Sequence, residues 1–111
     1  MSAAELFGVY TARFPFLDAD KDKIRPVIVI SKPYGQHNII TVILVSSTSK
    51  KESVDITLHG WREAGLIKPS IARIHRITTL LQSDLTNYLG DLSTGDKHNL
   101  QHGLKKLLNL R

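Results

Sequence analysis

Pro26-Val27-Ile28-Val29-Ile30-Ser31 and Asn38-Ile39-Ile40-Thr41-Val42-Ile43-Leu44-Val45 are separated by Lys32-Pro33-Tyr34-Gly35-Gln36-His37. Both flanking runs are short, β-branched and almost wholly apolar, the pattern of strands covered on both faces. Pro33 and Gly35 turn the chain between them, so the three segments predict an antiparallel hairpin.

Before the hairpin, residues 17–23 are polar and charged without periodicity and read as a loop. Residues 5–16 form a first strand, interrupted where Pro15 cannot donate to a ladder. After the hairpin, the hydroxyl- and lysine-rich residues 46–53 read as an exposed loop. Val54-Asp55-Ile56-Thr57-Leu58 alternates apolar and polar, as a half-buried strand does. Residues 61–66 suggest a short helical turn closed by Gly65. Residues 70–77 predict another strand, with a bulge near Arg76 where strict alternation fails. Residues 79–92 predict a helical turn around 83–88, then a strand at 89–92. Ser93 can cap a final helix, with Asp96 in its first turn and Leu100, Leu104, Leu107 and Leu108 at helical spacing. Strands first and a helix last argue for a small barrel or curled sheet, and against a doubly wound parallel fold. A chain of 111 residues with no break in composition is expected to be one domain, 1–111.

Fifteen Lys and Arg against ten Asp and Glu give a net charge of +5, which favours polyanionic partners such as RNA or DNA. The longest apolar stretch, 39–45 with Thr41 inside it, falls far short of the ~20 residues of a membrane span. The first residues lack a basic segment followed by an apolar one, so a cytoplasmic protein is expected. The absence of cysteine excludes disulfides, thiolate catalysis and cysteine zinc sites.

Three candidate motifs carry chemistry. Asp18, Asp20 and Asp22 resemble the start of a calcium loop, but its sixth and twelfth positions are Lys23 and Val29, which supply neither the glycine nor the carboxylate needed. His98 and His102 have metal-ligand spacing, but Asn99 stands where a zinc hydrolase carries glutamate, and no third ligand is evident. No metal or cofactor is therefore expected. The third set is Arg25, Ser46 to Ser49, Arg73 and His75. Arginines orient phosphates and stabilise the charge of a phosphoryl transition state, and hydroxyls donate to its oxygens. By spacing alone, a strand end and a serine-rich loop explain these residues equally well.

Read continuously, the set becomes specific. Phe14-Pro15-Phe16-Leu17-Asp18, then Lys23-Ile24-Arg25-Pro26-Val27-Ile28-Val29-Ile30-Ser31, resembles the signature of the PemK/MazF toxin family. Val45-Ser46-Ser47-Thr48-Ser49, Gly65-Leu66-Ile67-Lys68-Pro69-Ser70, Thr79-Leu80 and Leu89-Gly90-Asp91-Leu92-Ser93 continue the match in order, over about residues 7 to 108. The resemblance implies an SH3-like barrel of about five to seven strands, forming a homodimer. It also implies a metal-independent endoribonuclease that cuts single-stranded RNA to 2′,3′-cyclic phosphate and 5′-hydroxyl ends, with a cognate antitoxin threading an acidic segment across the RNA groove.

By the same resemblance, Arg25 faces the scissile phosphate and Thr48 contacts it, with Ser47 or Ser49 in that place if the register is one off. Arg73 shares the stabilising role. Phe16, Asp18, Lys21 and Lys23 border the RNA groove. The chain departs from the pattern twice. Phe7-Gly8 stands where many members open with Gly-Asp, and His75 stands where many carry Asp or Glu. A histidine there is an acid or base, marks a member with altered or lost activity, or is plain strand surface. The alternatives to the nuclease are a gyrase poison like the related CcdB toxins, which cleave nothing, and an inactive nucleic-acid-binding member of the fold.

Overall fold

The hairpin lies at the centre of a single sheet. The computed structural model describes residues 4–13, 24–47 and 52–110. Its strands are β1 (Gly8–Arg13), β2 (Ile24–Val29), β3 (Ile39–Ser46), β4 (Ile56–Leu58), β5 (Ser70–Leu81) and β6 (Leu85–Asp91), followed by helix α1 (Thr94–Leu107). They run in the order β4-β5-β3-β2-β1-β6 with every neighbour antiparallel. This is the curled, mainly β architecture with a terminal helix that the order of elements predicts.

The apolar runs are covered on both faces, as their composition requires. Val9, Ile28, Ile43, Val45 and Ala72 pack with Leu100 of α1 in one cluster. Ala12, Val27, Val29, Val42, Leu44 and Leu80 form a second. Alternation along each strand sends consecutive residues to opposite clusters. The predicted bulge is present: Leu44 pairs with Arg73 while Ile43 pairs with Ile77, so residues 74–76 are extra on β5. Such an insertion bends its strand and re-aims the side chains beside it.

Three expectations are corrected. No helical turn occupies 83–88: β5 continues to Leu81, one 3-10 turn spans Gln82–Asp84, and β6 begins at Leu85. The polar Ser83, Asp84 and Asn87 suggest a turn locally, but pairing of Tyr88 with Tyr10 and Asn87 with Thr11 overrides that preference. β4 is shorter than its alternating pattern, because the Asp55 carboxylate bends back to accept the Glu52 amide at 2.9 Å. Leu108 is the C-cap and is 55% exposed, outside the stripe through which Leu100, Leu104 and Leu107 meet the sheet. The last part of the predicted first strand, residues 14–16, and the Asp18, Asp20 and Asp22 motif lie outside the described residues.

Ser93 caps α1 as expected, its hydroxyl accepting the Asp96 amide at 3.2 Å. The Asp96 side chain does something the local sequence does not announce. Buried at 1% exposure, it accepts the His59 amide at 3.1 Å and the Gly60 amide at 2.9 Å, tying the end of β4 to the helix. The 61–66 segment is a hydrogen-bonded turn, with Leu66 donating to the Trp61 carbonyl and Gly65 to that of Arg62. Gly65 closes it at φ +80°.

Candidate active site

The strand registers gather the charged residues onto one face. Val27 pairs with Leu44, and Leu44 with Arg73, so these three share the face of the second cluster. Two residues along each strand, Arg25 and Ser46 lie on that same face. The β2–β3 ladder ends at Val27 and Leu44. Pro26, which has no amide hydrogen to donate, therefore sits just past the last pair, where no donor is needed. Its continuation would set Arg25 opposite Ser46. Two strand spacings separate β2 from β5, about 10 Å.

On β5 the geometry is closed. Asp55 stands one step beyond the Ile56–Ala72 pair, which puts it beside Arg73. Its Oδ2 accepts from Arg73 Nη1 at 3.0 Å, and its Oδ1 lies 2.8 Å from His75 Nδ1. The Asp55 side chain is fully buried, Arg73 is 14% exposed and His75 37% exposed. Exposure thus increases from the carboxylate outward. Where the family resemblance puts Asp or Glu, this chain has His75, and its carboxylate partner arrives from the neighbouring strand's approach instead.

Burial alone would raise the Asp55 pKa. Hydrogen bonds from the Glu52 amide, His75 and Arg73, with the His75 charge, outweigh it and hold the carboxyl below its ordinary 3.8. Asp55 is therefore an ionised, acceptor-only group near neutrality. A carboxyl depressed on folding stabilises the protein above its unfolded pKa, and loses that contribution as pH falls through the folded value. The stability advantage of the wild type over Asp55→Asn in urea unfolding, present at about pH 5, should shrink below about pH 4. An advantage unchanged down to pH 3 would contradict this account of Asp55.

Of the other residues named from sequence, Ser47 is exposed after the end of β3. Thr48, Ser49, Phe16, Asp18, Lys21 and Lys23 lie outside the described residues. His98 and His102 are both exposed on α1, and among the described residues no group of three or more His, Asp or Glu could hold a metal ion. No helix among them is long and apolar enough to cross a membrane. Asp55 is the residue that sequence reading passes over. In Val54-Asp55-Ile56-Thr57-Leu58 it occupies a polar position equivalent to that of Thr57, and only the pairing with β5 distinguishes the two.

Comparison with known proteins establishes the family and the fold. Residues 5–108 match the family model for the PemK-like, MazF-like toxin of type II toxin-antitoxin systems. "Endoribonuclease MazF6" of Mycobacterium tuberculosis is 32% identical over 92 residues, 79% of this chain and 81% of that protein. "Endoribonuclease MazF2" of Mycobacterium bovis matches to the same extent. Among solved structures, the Mycobacterium tuberculosis toxin MazF-mt6 superposes with a TM-score of 0.73 at 20% identity, over 94% of this chain and 98% of that one. A MazE-MazF structure from Deinococcus radiodurans gives 0.78 at 15% identity, over 99% and 100%. A fold shared over the whole length and a family match over residues 5–108 make this chain a member of the PemK-like, MazF-like toxin family of type II toxin-antitoxin systems.

Proposed function

We propose that this protein is an endoribonuclease toxin that cleaves single-stranded RNA at short sequences without a metal ion, leaving 2′,3′-cyclic phosphate and 5′-hydroxyl ends. The observation that carries this reading is the arrangement of Arg25, Ser46 and Arg73 on one sheet face, with His75 joined to Arg73 through Asp55, in a chain of this family. In-line attack by a ribose 2′-oxygen accumulates charge on the phosphate, which Arg25 and Arg73 stabilise. Arginine stays protonated near neutrality, so Arg25 acts as a charge stabiliser rather than a proton donor. Thr48, or Ser47 or Ser49 beside it, donates to a phosphate oxygen. His75 is the proton-transfer group. Phe16, Asp18, Lys21 and Lys23 border the path of the RNA.

The working form is a cytoplasmic homodimer held inactive by a cognate antitoxin whose acidic segment lies over the basic groove. Support for the antitoxin comes from a structural neighbour, an endoribonuclease in complex with its cognate antitoxin from a mycobacterial species, with a TM-score of 0.76 at 15% identity.

Purified protein incubated with a long single-stranded RNA in EDTA tests the reading. Discrete fragments that a kinase labels directly at their 5′ ends, as 5′-hydroxyls allow, are the expected result. RNA left intact by folded protein would remove the nuclease and bring forward a protein target such as gyrase.

A further inference from the structure

We infer that Asp55 is a positioning residue of the cleavage reaction: it fixes the tautomer of His75 and the direction of the Arg73 guanidinium, leaving His75 Nε2 as the atom that receives the 2′-hydroxyl proton. This rests on the nuclease reading above and assigns a role to a residue outside that set.

The acceptor chemistry of one buried group fixes the arrangement. Asp55 has no exposed side-chain surface and three partners: the Glu52 amide and Arg73 Nη1 on Oδ2, and His75 Nδ1 on Oδ1. An ionised carboxylate only accepts, so all three partners must donate. Two of them always do. The third requirement constrains the histidine: Nδ1 carries the hydrogen, and a neutral His75 has its lone pair on Nε2. A second ring nitrogen held by a carboxylate sets both the orientation and the basicity of the first.

Simple structural pairing does not account for this placement equally well. A buried ion pair that only stabilises the fold has no need of an imidazole exposed at 37%. Here the carboxylate is inside and its two donors are more exposed than it is: Arg73, paired with Leu44 on the face carrying Arg25 and Ser46, and His75, in the bulge at residues 74–76. Arg73 uses Nη1 on Asp55 and keeps its remaining N–H groups for a second acceptor, as the five-donor fork allows.

The proton balance is simple. The 2′-hydroxyl proton moves to His75 Nε2 as the 2′-oxygen bonds to phosphorus and the bond to the 5′-oxygen breaks. The leaving 5′-oxygen takes a proton from water. The imidazolium, stabilised meanwhile by Asp55, returns its proton to the resulting hydroxide.

Three measurements on the full chain test the assignment. Nitrogen chemical shifts of the His75 ring, in protein labelled with nitrogen-15, should show the Nδ1–H tautomer in the wild type and its loss in Asp55→Asn. With a short RNA substrate, Asp55→Asn should lower kcat about 10- to 100-fold while KM changes less than about threefold. In a His75→Ala background, Asp55→Asn should cost clearly less kcat than it does in the wild type, because the part acting through His75 is already lost and only the part acting through Arg73 remains. Thermal unfolding confirms that each variant is folded at the assay temperature.

A wild-type ring already in the Nε2–H form would overturn the assignment. So would an unchanged kcat in folded Asp55→Asn, or full additivity with His75→Ala. If the wild type cleaves no RNA, the nuclease reading falls and the reaction role falls with it. The nitrogen shifts still report whether Asp55 orients the imidazole, so the two failures are distinguishable.

Discussion

Arg25→Ala should lose RNA cleavage by about 10²- to 10³-fold in kcat, the usual cost of removing one group that stabilises developing charge in a site shielded from water. Arg25 lies at the start of β2, outside the β2–β3 ladder, on the face shared with Ser46 and Arg73. It is half-buried, and its strand is held to β1 through the Ala12 pairing whatever side chain it carries. The substitution should therefore affect the chemistry far more than the fold, with a thermal midpoint within a few degrees of the wild type. Arg25→Lys separates charge from shape. A lysine supplies the positive charge without the planar two-pronged donor that matches a phosphate, so activity should recover only in part. Initial rates across substrate concentrations decide the matter. A kcat within about threefold of wild type in Arg25→Ala would remove this residue from the site.

The second large effect concerns folding. Gly65→Ala should destabilise the protein by about 3 kcal/mol or more, lowering the thermal midpoint by roughly 10 °C or more. Two costs combine at this position. The backbone has φ +80°, where any Cβ is strained by about 1 kcal/mol. The new methyl would also be driven into the Leu89 carbonyl, a backbone group of β6 that cannot rotate away. The same contact appears from the other side: a Cβ at Gly90 would come within 2.6 Å of the Glu63 carbonyl oxygen and 2.8 Å of the Ala64 carbonyl carbon. Both glycines therefore permit the 61–66 turn to lie directly on β6. Gly65→Asn distinguishes the costs, since asparagine tolerates the left-handed conformation but still carries a Cβ. If the contact dominates, Asn should rescue little of the loss. A Gly65→Ala midpoint within about 2 °C of wild type would refute the close approach.

The two glycines also indicate how far sequence reading extends. Gly65 is identifiable as the closure of a turn, because Trp61 to Gly65 is a local pattern. Its close approach to Leu89, twenty-four positions later, is a packing fact with no local signature. Likewise, the two apolar runs suffice to specify a hairpin, since short β-branched segments joined by Pro33 and Gly35 leave few other structures open. The leucine spacing and the Ser93 cap suffice for α1. The 83–88 region is misleading, because its turn-forming residues outweigh its strand tendency until β1 is available to pair with it.

The candidate site divides along the same line. Arg25, Thr48 and Arg73 are legible as a family pattern in the continuous sequence, and His75 as a departure from it. Asp55 is not. Alternation assigns it to the polar side of a short strand, beside the exposed Thr57, and gives no reason to prefer one over the other. By itself, then, the sequence determines the strand runs, the terminal helix, the basic charge and the residue types available for phosphate chemistry, because each depends on neighbours within a few positions. The tertiary structure decides the order of the strands, the extra residues at 74–76, and the burial of one carboxylate against an arginine and a histidine 18 and 20 positions away. Those depend on which strands come to lie side by side, and pairing between distant segments is set by how the whole chain buries its apolar surface.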